Sequence, residues 1–252
     1  MEQKELGISL IILVSVAIGS ILGTYYFLEF LSTGVDEGTY DPGPDFTQFD
    51  FENANFSSIG SNTYWILEPG YKITLEGTQD DETLKVDIIV TNNEFNITFG
   101  PRIITTRVVI ENETENGKLI ETSYNFFAIC NETGDVWYFG ETVDDYLNGE
   151  IVSHEGEWLA NETGNAPGVI MPGSPMLGAK YYQEYAPGVA RDRAEIISLD
   201  STLTTPNGTF QNCLITEETN ADEPLVVENK FYAPGVGLIA EEFIVLTFHG
   251  FV

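Results

Sequence analysis

From Tyr64 to the C-terminus, apolar residues recur at every second position in short bursts broken by Gly, Pro and Asn-Gly. A helix buries a stripe with a 3.6-residue period, so this pattern cannot supply a helical core, whereas strands need a period of two. Residues 71–75 and 84–88 alternate, and 95–99, 103–110 and 118–130 continue the series. Further strands are expected over 135–140, 150–154, 180–185, 194–199, 209–218, 226–232 and 238–248. Asn116-Gly117 and Asn148-Gly149 read as hairpin turns, because both residue types tolerate positive φ. Residues 160–178 contain Pro167, Pro172, Pro175 and four glycines and read as a loop. So many short segments at this spacing predict a mainly β fold, an antiparallel meander curled into a barrel or stacked as a sandwich. Tyr185-Ala186-Pro187-Gly188-Val189 recurs as Tyr232-Ala233-Pro234-Gly235-Val236, which predicts two Pro-Gly corners with glycine at positive φ.

The start of the chain has a different constraint. Residues 7–28 form 22 positions without a charge, about 33 Å of helix at 1.5 Å per residue, enough to cross a bilayer. Tyr25, Tyr26 and Phe27 fall where an aromatic belt would sit. Lys4 precedes the run and no Lys or Arg follows it before Lys72, so positive charge favours a cytoplasmic N-terminus. The expectation is a cytoplasmic tip (1–6), a transmembrane helix (7–31), an acidic linker (32–58) and an extracellular β domain (59–252), in a single-pass cell-membrane protein. Cleavage near Ala17-Ile18-Gly19, or a pilin-type leader cut near Gly7, stays open. Outside placement makes the Asn-Xaa-Ser/Thr sequons at Asn55, Asn96, Asn112, Asn131, Asn161 and Asn207 candidates for glycosylation. It also makes Cys130 and Cys213 candidates for a disulfide, with two buried thiols as the alternative.

Forty acidic residues against ten basic ones give a net charge of −30. Such a surface repels nucleic acid, whose phosphates need Lys and Arg. The charge serves solubility, or it serves cation binding. For Ca²⁺, the adjacent pairs Asp80–Asp81, Asp144–Asp145, Glu217–Glu218 and Glu241–Glu242 are the candidates if the fold converges them.

Several ordered motifs stand out: Gly134-Asp135-Val136-Trp137-Tyr138-Phe139-Gly140-Glu141, Gly156-Glu157-Trp158 and Pro167-Gly168-Val169-Ile170-Met171-Pro172. Tyr182-Gln183-Glu184-Tyr185-Ala186-Pro187-Gly188-Val189-Ala190 and Phe231-Tyr232-Ala233-Pro234-Gly235-Val236-Gly237-Leu238 complete the set. With them the chain from about Tyr64 onward resembles a family of uncharacterised secreted or envelope-attached β-rich proteins of bacteria and archaea. The resemblance implies a β domain held at the envelope, with the apolar helix here in place of a lipoprotein anchor, and it implies no activity.

Enzyme readings fail on inventory. His154 and His249 are the only histidines, and no nucleophile elbow, HExxH, Walker loop or dinucleotide fingerprint occurs. The expected cofactor is none, apart from Ca²⁺ at the acidic pairs. Trp137, Tyr138, Phe139, Trp158, Tyr181 and Tyr182 are the candidates for a ligand surface for glycans or lipids, unless they fill the core. Two readings follow. One is a structural or interaction module of the cell envelope, associating with itself or with envelope glycoproteins. The other is a ligand-binding barrel for a lipid, glycan or divalent cation.

Overall fold

The computed structural model describes residues 46–162, 164–222 and 225–252, and every regular element among them is a strand. The expected tip and anchor lie outside the described residues, as does the linker up to residue 45. Among the described residues no helix is long and apolar enough to cross a membrane.

Three short strands come first: β1 (Phe56–Ser57), β2 (Gly60–Ser61) and β3 (Ile66–Leu67). The long ones follow as β4 (Tyr71–Gln79), β5 (Glu82–Phe99), β6 (Arg102–Glu115), β7 (Lys118–Cys130) and β8 (Val136–Leu147). Five shorter strands come next: β9 (Glu150–Ser153), β10 (Trp158–Leu159), β11 (Ala166–Met171), β12 (Lys180–Tyr182) and β13 (Glu184–Tyr185). The last are β14 (Asp192–Thr205), β15 (Gly208–Asn220), β16 (Glu228–Ala233), β17 (Gly237–Glu241) and β18 (Ile244–Phe251). Asn116-Gly117 and Asn148-Gly149 turn with φ of 50° and 74°, and of 55° and 85°, as their chemistry requires. Gly188 and Gly235 take φ of 83° and 72° in the two Pro-Gly corners, where Val189 N–H donates to Ala186 O and Val236 N–H to Ala233 O.

The main sheet is an antiparallel meander in the order β12-β14-β15-β16-β17-β18-β4-β5-β6-β7-β8-β11-β13. Its two ends meet within one stretch of chain. Lys180–Tyr182 pairs with β14, Glu184–Tyr185 pairs with β11, and Gln183 N–H between them donates to Asp192 O at 2.8 Å. The sheet is thereby nearly closed into a barrel, the arrangement that leaves no long edge unpaired. Gly168 belongs to this seam, since a Cβ there would lie 2.3 Å from Gln183 O.

Several sequence expectations differ from the structure. The strands expected over 84–88 and 95–99 are one strand, β5, and the one expected over 194–199 extends over Asp192–Thr205. The strand expected to end at Ile110 continues through Glu115, because Glu111 and Glu113 turn inward instead of starting a polar loop. The region 160–178 holds β11: Pro167 and Gly168 are tolerated because they sit at the seam, beside a crossing chain. The strand expected over 238–248 is broken by a turn at Glu242, which takes φ of 44°.

Much of the expected linker is part of the fold. Residues 46–58 lie across the outer face of the barrel, and β1 pairs with β7. Phe51 and Phe56 meet Trp137 at 5.2 and 5.9 Å between ring centroids. The Arg102 guanidinium sits over both phenylalanines and donates to Phe51 O and Ala54 O. This strap therefore buries aromatic surface and satisfies its own carbonyls. Replacing Phe51 by Ala is expected to cost about 2 kcal/mol, less than a fully buried phenylalanine. Gly168→Ala is expected to cost more than Phe51→Ala, through strain at the seam. Urea denaturation of both variants measures this, and a midpoint unchanged by Gly168→Ala would contradict the seam geometry.

Candidate functional site

Strand alternation decides which acids face inward. Leu84, Val86, Ile88 and Val90 on β5 point into the barrel, and the register sets Val86 opposite Glu113 and Ile88 opposite Glu111. One strand further, Glu113 is opposite Glu121, and Glu121 is opposite Asp145. Three carboxyls from β6, β7 and β8 thus form one row across the sheet, an arrangement that is unfavourable when all are ionised. Glu141, Glu184, Asp192, Glu218 and Glu241 are also buried, each at most 3% exposed. All these acids lie toward the end of the barrel that carries the turns at 80–81, 116–117, 148–149 and 242–243. The opposite half of the interior is mainly apolar, with the buried Arg107 at its end donating to Ser58 O and paired with Glu94 at 3.1 Å. There Tyr71, Ile73, Val109 and Leu238 surround a cavity of about 30 Å³ that reaches Lys230 and Tyr232.

Lys230 is the cation within this acidic half. Its Nζ lies 3.3 Å from Glu218 and 3.1 Å from Glu241, with all three side chains at most 2% exposed. Burial alone would push the ammonium down, but the two carboxyls outweigh it and hold its pKa well above the ordinary value. Glu218 is tied further by Gln183 Nε2 at 2.9 Å and Thr216 Oγ1 at 2.8 Å. Glu241 stays raised to about 8 in spite of Lys230, because burial dominates and a single positive charge serves two acids.

Glu121, Glu141, Glu184 and Asp192 respond in the same direction. Burial, and then the neighbouring Asp145, raises Glu121 to about 8. Glu184 is raised to about 8, by burial first. Burial, and then the charge of Glu184, puts Asp192 well above its ordinary range. Neither Glu184 nor Asp192 has a partner at full hydrogen-bond geometry when both are ionised. A proton on one supplies the missing donor to the other. Trp158 Nε1 and Tyr181 Oη are buried beside these acids, also without a partner at full geometry. Tyr138 Oη donates to Asn125 Oδ1 at 2.6 Å. The arrangement can hold protons near neutral pH, or it can hold ammonium groups in the manner of Lys230.

The six aromatic candidates do not form one platform. Tyr138 stacks on Phe127 at 4.7 Å and meets Trp158 edge-on at 5.3 Å, inside the barrel. Trp137 and Phe139 point outward and lie under the strap, against Phe51 and Phe56. Tyr181 is fully buried, and Tyr182 is outside, stacked on Phe46.

The adjacent acidic pairs do not converge either, since neighbours on a strand face opposite ways. Asp145 faces in, while Asp144 meets His154 at 3.2 Å outside. Glu218 and Glu241 are buried, whereas Glu217 is only half-buried and Glu242 is exposed. Asp80 and Asp81 form the β4–β5 turn, with φ of 48° and 70°. Among the described residues no three His, Cys, Asp or Glu side chains come together to hold a metal ion.

Cys130 and Cys213 are not bridged; both are free and buried. Asn55, Asn96, Asn131, Asn161 and Asn207 are exposed and Asn112 is half-buried, with Asn55 donating to Glu132 Oε1 at 2.6 Å. No known family, curated protein or solved structure matches the chain.

The sign of the pH dependence follows from the raised carboxyls. They bind protons more tightly in the fold than in the unfolded chain, so their contribution is complete below the ordinary glutamate range. It is lost as pH rises through about 8, the value reached by Glu121, Glu184 and Glu241. Between the ordinary glutamate range and about 8, each such group withdraws about 1.4 kcal/mol of stability per pH unit, and above about 8 the loss is complete. The melting temperature should fall from pH 6 to pH 9, and Glu121→Gln should melt higher than the parent at pH 9 while differing little at pH 5. Lys230→Met leaves Glu218 and Glu241 without their shared ammonium and should cost about 3–5 kcal/mol at pH 7. That loss should shrink at pH 5, as read by urea denaturation at the two values.

Proposed function

We propose that this chain is a ligand-binding β barrel displayed outside the cell by residues 7–31, and that an amine-bearing organic cation reaches its acidic interior when the seam along residues 180–185 parts. The carrying observation is the excess of buried carboxyls over Lys230 at one end of the barrel. Solubility favours acids on the surface, where they are hydrated, and gives no reason to bury eight of them at the cost of desolvation. Lys230 provides a template for the ligand: one ammonium between two carboxyls at 3.1 and 3.3 Å. The other acids are spread over β6, β7, β8, β13 and β14 instead of converging on a point. That spacing suits an extended cation with separated ammonium groups better than a single metal ion. Tyr181 Oη and Trp158 Nε1 add polar groups on the same wall. The envelope placement rests on the uncharged segment and the sequons.

Such a ligand displaces protons from the raised carboxyls, so its binding must strengthen with pH. Thermal melts of the full-length protein in detergent, with spermidine, test this at pH 6 and pH 8.5. At pH 8.5 millimolar spermidine should raise the melting temperature beyond the effect of NaCl at matched ionic strength. The shift should be smaller at pH 6 and reduced by Asp192→Asn. Equal shifts from spermidine and NaCl would remove the interior site and leave a structural module of the envelope as the surviving role.

A further inference from the structure

The strap does more than cover the barrel, because it stands off the wall and leaves a cleft of about 310 Å³. We propose that this cleft is a binding site for a neutral oligosaccharide. It lies on the outer face and does not depend on the acidic interior. One side is the strap itself, residues 48–52, and the other is Phe99, Trp137 and the β11 segment Ala166–Val169, with Tyr182 at the seam.

The lining combines two chemistries that sugars need together. Phe49 and the face of Tyr182 not stacked on Phe46, both half-buried, present ring surface to the apolar C–H faces of a pyranose, while Phe51 is packed between Arg102 and Trp137 behind them. Gln48, Asp50 and Glu52 are exposed along the strap and bring amide and carboxylate groups to hydroxyls. The Asp50 carboxylate is fixed by Asn53, whose backbone and side-chain N–H groups donate to it at 2.8–3.1 Å, so its orientation is set before a ligand arrives. No Lys or Arg is among the described residues lining the cleft. Anionic ligands, including acidic sugars, therefore meet carboxylates without compensation. A lipid chain would need an enclosed apolar cavity, whereas this cleft has charged groups along one wall. A neutral polyol with stackable faces meets both conditions.

Even strap residues explain the arrangement. Phe49 and Phe51 turn toward the barrel, while Gln48, Asp50 and Glu52 alternate outward to the rim. Arg102 anchors the strap beyond the cleft through Phe51 O and Ala54 O, so the rim is held in place.

Tryptophan fluorescence of the full-length protein, titrated with maltotriose, mannotriose and triacetylchitotriose, provides the test. A saturable change with at least one of them is expected, with a Kd in the millimolar to micromolar range. Glu52→Ala and Tyr182→Ala should each weaken it about fivefold or more, with melting temperatures close to the parent. Glu52 is exposed, so Glu52→Ala decides the matter even if Tyr182→Ala folds poorly. No saturable change with any of the three, affinity unaltered by Glu52→Ala, or displacement of the sugar by decanoate would each overturn the proposal. Loss of spermidine stabilisation leaves this site untouched, and loss of sugar binding leaves the interior untouched.

Discussion

A buried ammonium shared by two buried carboxyls organises one half of this barrel. Lys230 lies between Glu218 on β15 and Glu241 on β17, so three neighbouring strands are tied on their inner face by charge instead of by aliphatic packing. Apart from Arg107 at its end, the other half of the interior is ordinary: leucine, isoleucine and valine from β4, β5 and β18 pack against one another. The boundary runs across the barrel near Tyr232 and Val109. Two solvents therefore coexist inside one wall. Near the apolar end burial stabilises, and near the acidic end it has to be offset by protons, hydrogen bonds and Lys230.

The meander was readable from the sequence because its signals are local. Asn116-Gly117 has only one comfortable way to turn, and residues 118–130 contain no Gly or Pro to break them, so the expected and observed strand coincide. The two Pro-Gly corners were equally legible, although they lie at opposite ends of the barrel. Closure was not legible. It depends on Gln183 sitting between two short pairings with β14 and β11, which are brought together only when the whole sheet curls. Pro167 and Gly168 argue for a loop in isolation and for a seam in context.

The interior acids are hidden in the sequence for a related reason. Glu111-Asn112-Glu113-Thr114-Glu115 reads as a polar run that ends a strand, and with forty acids in the chain no single glutamate stands out. Alternation assigns faces only relative to a neighbour whose orientation is known, and β5 provided that only through its register with β6. The acidic doublets stand out in the sequence instead, but two adjacent residues on a strand face opposite ways. Aromatic residues posed the converse problem. In the sequence Trp137, Tyr138 and Phe139 read as one surface, and the same alternation divides them between the strap and the interior.

The seam has a consequence for how this wall breathes. Long strands such as β5 and β6 are held by thirteen registered pairs, whereas the line through residues 180–185 is held by three pairs on one side and two on the other. Local opening follows the fewest bonds. The cylinder should part there first, like a cuff unfastened along its buttons, while the rest of the meander stays intact. Since Glu184 and Asp192 lie along that line, each such parting would admit water and ions directly to the acids, with no need for the barrel to unfold.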